Sequence, residues 1–108
     1  MMRYLQILLL LLTCTQANAA SVLGVGAMQC SLVVSLYSAD EGDIVENAVT
    51  NWAQGFFSGI NAASDQNVGR DNAEKIFDAI LTRCQNNPSD RLLLTVGMVY
   101  GNFKDAGM

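Results

Sequence analysis

The chain has 108 residues, of which 51% are hydrophobic, 15% are charged and one is a proline. That composition excludes a disordered acidic tail or a Pro-rich linker, and the length fits one domain. There is no His, which removes Ser-His and Cys-His nucleophile pairs, imidazole metal ligands and the usual neutral-pH general base. A small acidic binding or stress protein remains, with no catalytic residues to name and no cofactor.

The first twenty residues read as an export signal. Met1 to Arg3 give a short positive start, Leu5 to Thr13 an apolar run, and Ala17-Asn18-Ala19 a small-x-small cleavage site. A spanning helix needs about 20 apolar residues, so the run is too short to be a transmembrane anchor. Residues 1–19 are therefore expected to be a signal peptide and residues 20–108 the mature helical domain, periplasmic or secreted. Cys14 lacks the small residue that a lipidation site places directly ahead of its cysteine.

Without Arg3 the mature chain carries five basic against ten acidic residues, a net charge of −5. Nucleic acid and anionic lipid surfaces reward clustered Lys and Arg, so neither is an expected partner, and no membrane insertion is expected after cleavage. Two cysteines remain, Cys30 and Cys84. In an oxidising compartment they are expected to pair with each other, closing a long loop worth about 4 kcal/mol in chain entropy.

Residues 20–26, with no period and two glycines, read as a flexible lead-in. A first helix is predicted from Ala27 to Tyr37, with Cys30, Val33, Val34 and Tyr37 on one face. A second helix follows Ser38–Gly42, with Asp43 and Glu46 at capping-box spacing. Its apolar stripe comprises Ile44, Val45, Ala48, Val49, Trp52, Ala53, Phe56, Phe57 and Ile60. Gly55 and Gly59 lie four apart in this helix, each costing about 1 kcal/mol against Ala, which points to a neighbouring element crossing close to the backbone.

Ser64–Arg70 forms a polar turn, and Asp71 is predicted to cap a third helix with Ala73, Ile76, Phe77, Ile80, Leu81 and Cys84 facing inward. Asn87-Pro88 is predicted to stop that helix and to start a fourth, with Asn87 as its cap and Pro88 in its first position. This fourth helix runs to about Phe103 with Leu92, Leu93, Val96, Val99, Tyr100 and Phe103 inward. Its Gly97 and Gly101 mirror Gly55 and Gly59, so the second and fourth helices are expected to cross closely. No segment alternates as a strand does. The expected fold is all-α, a small four-helix domain with one disulfide.

Few motifs carry chemistry. Asp65, Asn67 and Gly69 resemble the opening of a calcium loop, but Arg70 stands where that loop needs Gly and Ile76 where it needs a bidentate Glu, so the segment reads as a helix-linking turn with Asx-type hydrogen bonds and no metal site. Asp40, Glu41, Asp43 and Glu46 gather four carboxylates in seven residues, a solvated helix start and a candidate contact for a basic partner. Trp52, the single tryptophan, falls on the inward stripe and reads as core.

Taken together, Cys30, the segment Trp52-Ala53-Gln54-Gly55-Phe56-Phe57-Ser58-Gly59-Ile60-Asn61, and Cys84-Gln85-Asn86-Asn87-Pro88 before a last apolar helix resemble small periplasmic proteins related to the HdeA and HdeB acid-stress chaperones. The chain resembles Rap1a-type immunity proteins more loosely. Membership would imply a helical domain with Cys30 bonded to Cys84 and no catalytic residues. HdeA-type chaperones have Lys- and Asp-rich ends, whereas here only Lys104 and Asp105 are charged in the mature termini.

Two readings of function follow, and both take a protein as the ligand. In one, protonation of ten carboxylates turns the net charge from −5 toward about +5 near pH 4, self-repulsion opens the domain, and Trp52, Phe56, Phe57, Val96, Val99 and Tyr100 hold unfolding clients. In the other, a folded surface binds a protein at neutral pH, as an immunity protein or inhibitor does, with Asp40 to Glu46 as the candidate contact. Pairing of two copies of the chain is left open.

Overall fold

The computed structural model describes residues 23–108; the expected signal peptide, Cys14 and residues 20–22 lie outside them. A 3-10 turn at Gly24–Ala27 is followed by four α-helices: α1 (Cys30–Ser38), α2 (Gly42–Ser64), α3 (Ala73–Asn86) and α4 (Leu92–Asp105). No β-strand occurs among the described residues, and the one β-type pairing is an isolated antiparallel bridge between Gln29 and Arg91. The fold is all-α, as the 3.6-residue periodicity predicts.

α1 begins three residues later than the periodicity suggests. Met28 and Gln29 are extended, with ψ of 149° and 146°, because they run beside the turn between α3 and α4. Leu92 N–H donates to Met28 C=O at 2.8 Å, Cys30 N–H to Asp90 C=O at 2.8 Å and Ser31 N–H to Pro88 C=O at 2.8 Å. The first amides of a helix have no partner within it. Here a distant turn supplies carbonyls in place of a side-chain cap, and no side-chain cap bond is present at Gln29.

That arrangement also corrects the reading of Asn87-Pro88. Asn87 closes α3, its Nδ2 donating to Arg83 C=O at 3.0 Å. Asp90 N–H then donates to Asn87 C=O at 3.1 Å, which puts Pro88 at the second position of a β-turn, where its fixed φ is favourable. α4 starts only at Leu92, with Arg91 as its cap residue. The dipeptide stops one helix but does not start the next, and Asp90 sits outside the helix with its carbonyl turned to α1.

The cysteines pair as expected. Cys30 and Cys84 form a disulfide with a Cα–Cα distance of 4.7 Å, and both are fully buried. Thr95 of α4 is fully buried beside them, its Oγ1 3.2 Å from Cys30 Sγ. Around this centre the buried apolar residues form one cluster drawn from all four helices, including Val33, Val49, Ile76, Ile80, Leu92 and Val96. The inward faces predicted for α3 and α4 are met at Ile76, Phe77, Ile80 and Cys84, and at Leu92, Val96, Val99, Tyr100 and Phe103.

α2 departs further from expectation. Its buried row is Val45, Val49, Ala53 and Phe57, four residues apart, while Ile44 is 68% exposed and Trp52, Phe56 and Ile60 are half-buried. The cap residue is Glu41 with no side-chain cap bond, so the capping box of Asp43 and Glu46 does not form. Nor does a close crossing occur at the paired glycines: a Cβ on Gly55, Gly59 or Gly101 would meet nothing within 4 Å, and one on Gly97 would only touch the Phe56 ring at 3.9 Å. Gly55 and Gly59 face solvent. At the start of α3, Asn72 rather than Asp71 is the cap residue.

Candidate functional site

The lead-in is structured where it can be described. The 3-10 turn lies over Trp52, whose Nε1 donates to Leu23 C=O at 3.2 Å. Gly26 is buried against the indole so closely that a Cβ there would overlap the ring. Trp52 in turn stacks on Phe56, with ring centroids 5.6 Å apart and planes 23° from parallel. The turn therefore covers the indole and leaves the next ring, one helical turn further on, at the edge of the core.

Phe56 forms one wall of an apolar groove with Leu93, Leu94, Gly97 and Met98 of α4. The groove measures about 580 Å³, and Ser89, Asp90 and Arg91 are the polar residues that line it. Leu94 is 53% and Met98 43% exposed, so α4 presents two large apolar side chains, spaced i and i+4, on one outward ridge. Periodicity could not separate this ridge from the core face, because α4 is apolar on both.

A second, more polar groove of about 430 Å³ lies between α3 and α4, lined by Thr82, Arg83, Asn86, Val99, Asn102 and neighbouring residues. A third of about 570 Å³ lies where α2 meets the α2–α3 loop, above Phe57, Val68 and Ile76. Its centre is Asn61. The Asn61 Oδ1 accepts from Val68 N–H at 3.1 Å and from Tyr100 Oη–H at 2.8 Å, and its Nδ2 donates to Val68 C=O at 3.0 Å. One side chain thus pairs with Val68 as a strand would, while its oxygen also ties α4 to the loop through Tyr100.

The calcium-like turn is shaped by other forces than the side chains that suggested it. Asp65 ends α2 in the left-handed conformation (φ 54°). Gly69 has φ +81°, and a Cβ there would come within 2.8 Å of the Phe57 ring, so this position needs glycine on two counts. Gly69 N–H donates to Met108 C=O at 2.9 Å. Among the described residues no three Cys, Asp or Glu side chains gather as a metal-binding group, and no helix is long and apolar enough to cross a membrane.

The residues proposed from sequence as a client surface divide into two sets. Phe57, Val96, Val99 and Tyr100 are buried in the core, with Phe57 edge-on to Tyr100 at 4.9 Å and to Phe103 at 6.0 Å. Trp52 and Phe56 are half-buried at the groove side. The acidic segment is distributed over the α1–α2 turn and the first turns of α2, with Asp40, Glu41 and Asp43 exposed and Glu46 half-buried. Leu93, Leu94 and Met98, which the sequence reading did not place on a surface, line the most apolar of these grooves. No protein-family model, curated protein or solved structure matches the chain.

Proposed function

We propose that this chain is a small exported, non-enzymatic binding protein that holds another protein at neutral pH with its folded surface. The observation that supports this reading is the apolar groove of Phe56, Leu93, Leu94 and Met98, open to solvent on a frame fastened by the Cys30–Cys84 disulfide. Exposed apolar concavities with a polar rim are characteristic of protein-binding sites. The looser sequence resemblance to Rap1a-type immunity proteins fits the same class. Affinity capture at pH 7 with wild-type protein and Leu94→Glu in parallel tests it. The partner recovered by wild type should be lost by the variant while far-UV circular dichroism is unchanged; equal recovery would overturn the groove assignment. A third arm reversing the charge of Asp40, Glu41 and Asp43 reports whether the acidic segment contributes.

A second reading, an acid-opened chaperone, draws support from the placement of the disulfide. It fastens α1 to α3 and leaves α2 and α4 held by packing and hydrogen bonds alone. Parting these two helices would expose Phe57, Val96, Val99 and Tyr100 without releasing the rest. This reading expects a reversible loss of near-UV circular dichroism with uptake of hydrophobic dye below about pH 3. A native near-UV signal kept at pH 2 would sink it.

A further inference from the structure

The Arg83 side chain is the least satisfied polar group in the described fold. It is half-buried with its tip at an exposed contact, but its Nε lies out of solvent with no hydrogen-bond acceptor among the described residues. One of its terminal nitrogens donates to the Met98 thioether, a weak acceptor. A guanidinium has five N–H donors and keeps its charge at any ordinary pH, and an N–H held out of water in a folded protein is normally hydrogen-bonded. We infer that Arg83 is a carboxylate-binding residue, completed by an acidic side chain or chain terminus of the bound protein. The inference rests on the binding reading above and names the chemistry of its partner.

The surroundings suit that ligand. Thr82, Asn86 and Asn102 line the same groove and offer a hydroxyl and two amides to a second carboxylate oxygen, while the planar guanidinium matches a carboxylate two-to-two. Asp78 also lines the groove and is the one carboxylate there, so a dianion such as phosphate meets more repulsion than a singly charged carboxylate. Leu94, Met98 and Asn102 follow each other at i, i+4 and i+8 on α4, a ridge about 12 Å long. Met98 belongs to the apolar groove and touches Arg83. A single segment with an apolar residue at Leu94 and an acidic one beyond Met98 therefore meets both sites, with the flexible Met98 side chain yielding to admit the carboxylate.

The Arg83 Nε–H resonance is the direct probe. In the wild-type protein, titration with N-acetylglutamate α-amide, a single carboxylate, should move that signal saturably in the millimolar range, N-acetylglutamine α-amide, which has none, should leave it in place, and inorganic phosphate should move it less. Arg83→Met should abolish the saturable response of neighbouring amides at Asn86 and Asn102. No movement with N-acetylglutamate α-amide, or an equal or larger one with phosphate, would overturn the assignment; because the titration is read on wild-type protein, it does not depend on the variant folding. A response at Arg83 together with undiminished partner recovery by Leu94→Glu would sink the apolar-groove reading and leave the carboxylate site standing.

Discussion

Two regions of the domain are built on different terms. At the disulfide end, Cys30, Cys84 and Thr95 are fully buried, and three backbone bonds from Cys30, Ser31 and Leu92 lock the start of α1 to the turn before α4. Along the flank of α2, Trp52 and Phe56 are half-buried, Gly55 and Gly59 face open space, and the cover is a 3-10 turn held by one indole hydrogen bond and a close fit at Gly26. One region is fixed by covalent and main-chain bonds, the other by side-chain shape. The comparison teaches where a binding surface can be placed: the fastened end carries the rigidity, and the looser flank and the outward ridge of α4 are left free to meet another molecule.

The largest effect should come from the fastened end. Replacing both cysteines by serine is expected to lower stability by about 4 kcal/mol, read as a shift in the denaturant midpoint of the oxidised protein against the variant. A much smaller loss would mean that the backbone bonds alone hold this end. Asn61→Ala removes both partners of Val68 and the acceptor of Tyr100 and should cost about 2–3 kcal/mol, whereas Tyr100→Phe should cost about 1 kcal/mol; similar losses for the two would show that the loop bonds matter little.

On the flank, Gly26→Ala forces the indole or the turn to move and should cost about 1–3 kcal/mol, accompanied by a change in Trp52 fluorescence. Unchanged fluorescence and stability would show that the turn does not grip the ring. The smallest effect expected is a gain: Gly55→Ala and Gly59→Ala lie in open helical positions and should each stabilise by up to about 1 kcal/mol. Destabilisation at either site would place a neighbour against α2 in solution and make the two regions more alike.

Much of this architecture is legible in the residue pattern because apolar spacing reports directly on helical faces. The buried rows of α3 and α4 follow from it, and the pairing of Cys30 with Cys84 follows from their being the two cysteines left after the expected cleavage. What the pattern misplaces are the helix starts. Asp43, Asp71 and Asn87 are suitable capping residues by local chemistry, yet α1 receives its caps from Pro88 and Asp90, some sixty positions away along the chain, and no local signal encodes that. The glycines mislead for a related reason: Gly55 and Gly59 have the spacing of a crossing, but a helix contact depends on which face meets a neighbour. Gly26 and Gly69, which have no such spacing, are the two with rings pressed against them. The candidate site was harder still to read. Phe56 stood out as an aromatic, but Leu94 and Met98 are apolar residues in an apolar helix, and Arg83 is one cation among several until its burial is known.

The carbonyls that cap α1 have a consequence for the order of events as the chain folds. α1 is the first helix of the described fold to be synthesised, yet its opening amides at Cys30 and Ser31 find partners only when Asp90 and Pro88 are brought to them. A short helix without those partners is marginal in water, so the helix made first depends on contacts of high sequence separation, the kind that slow the folding of an otherwise local, all-helical chain. The Cys30–Cys84 disulfide closes the same junction that these main-chain bonds draw.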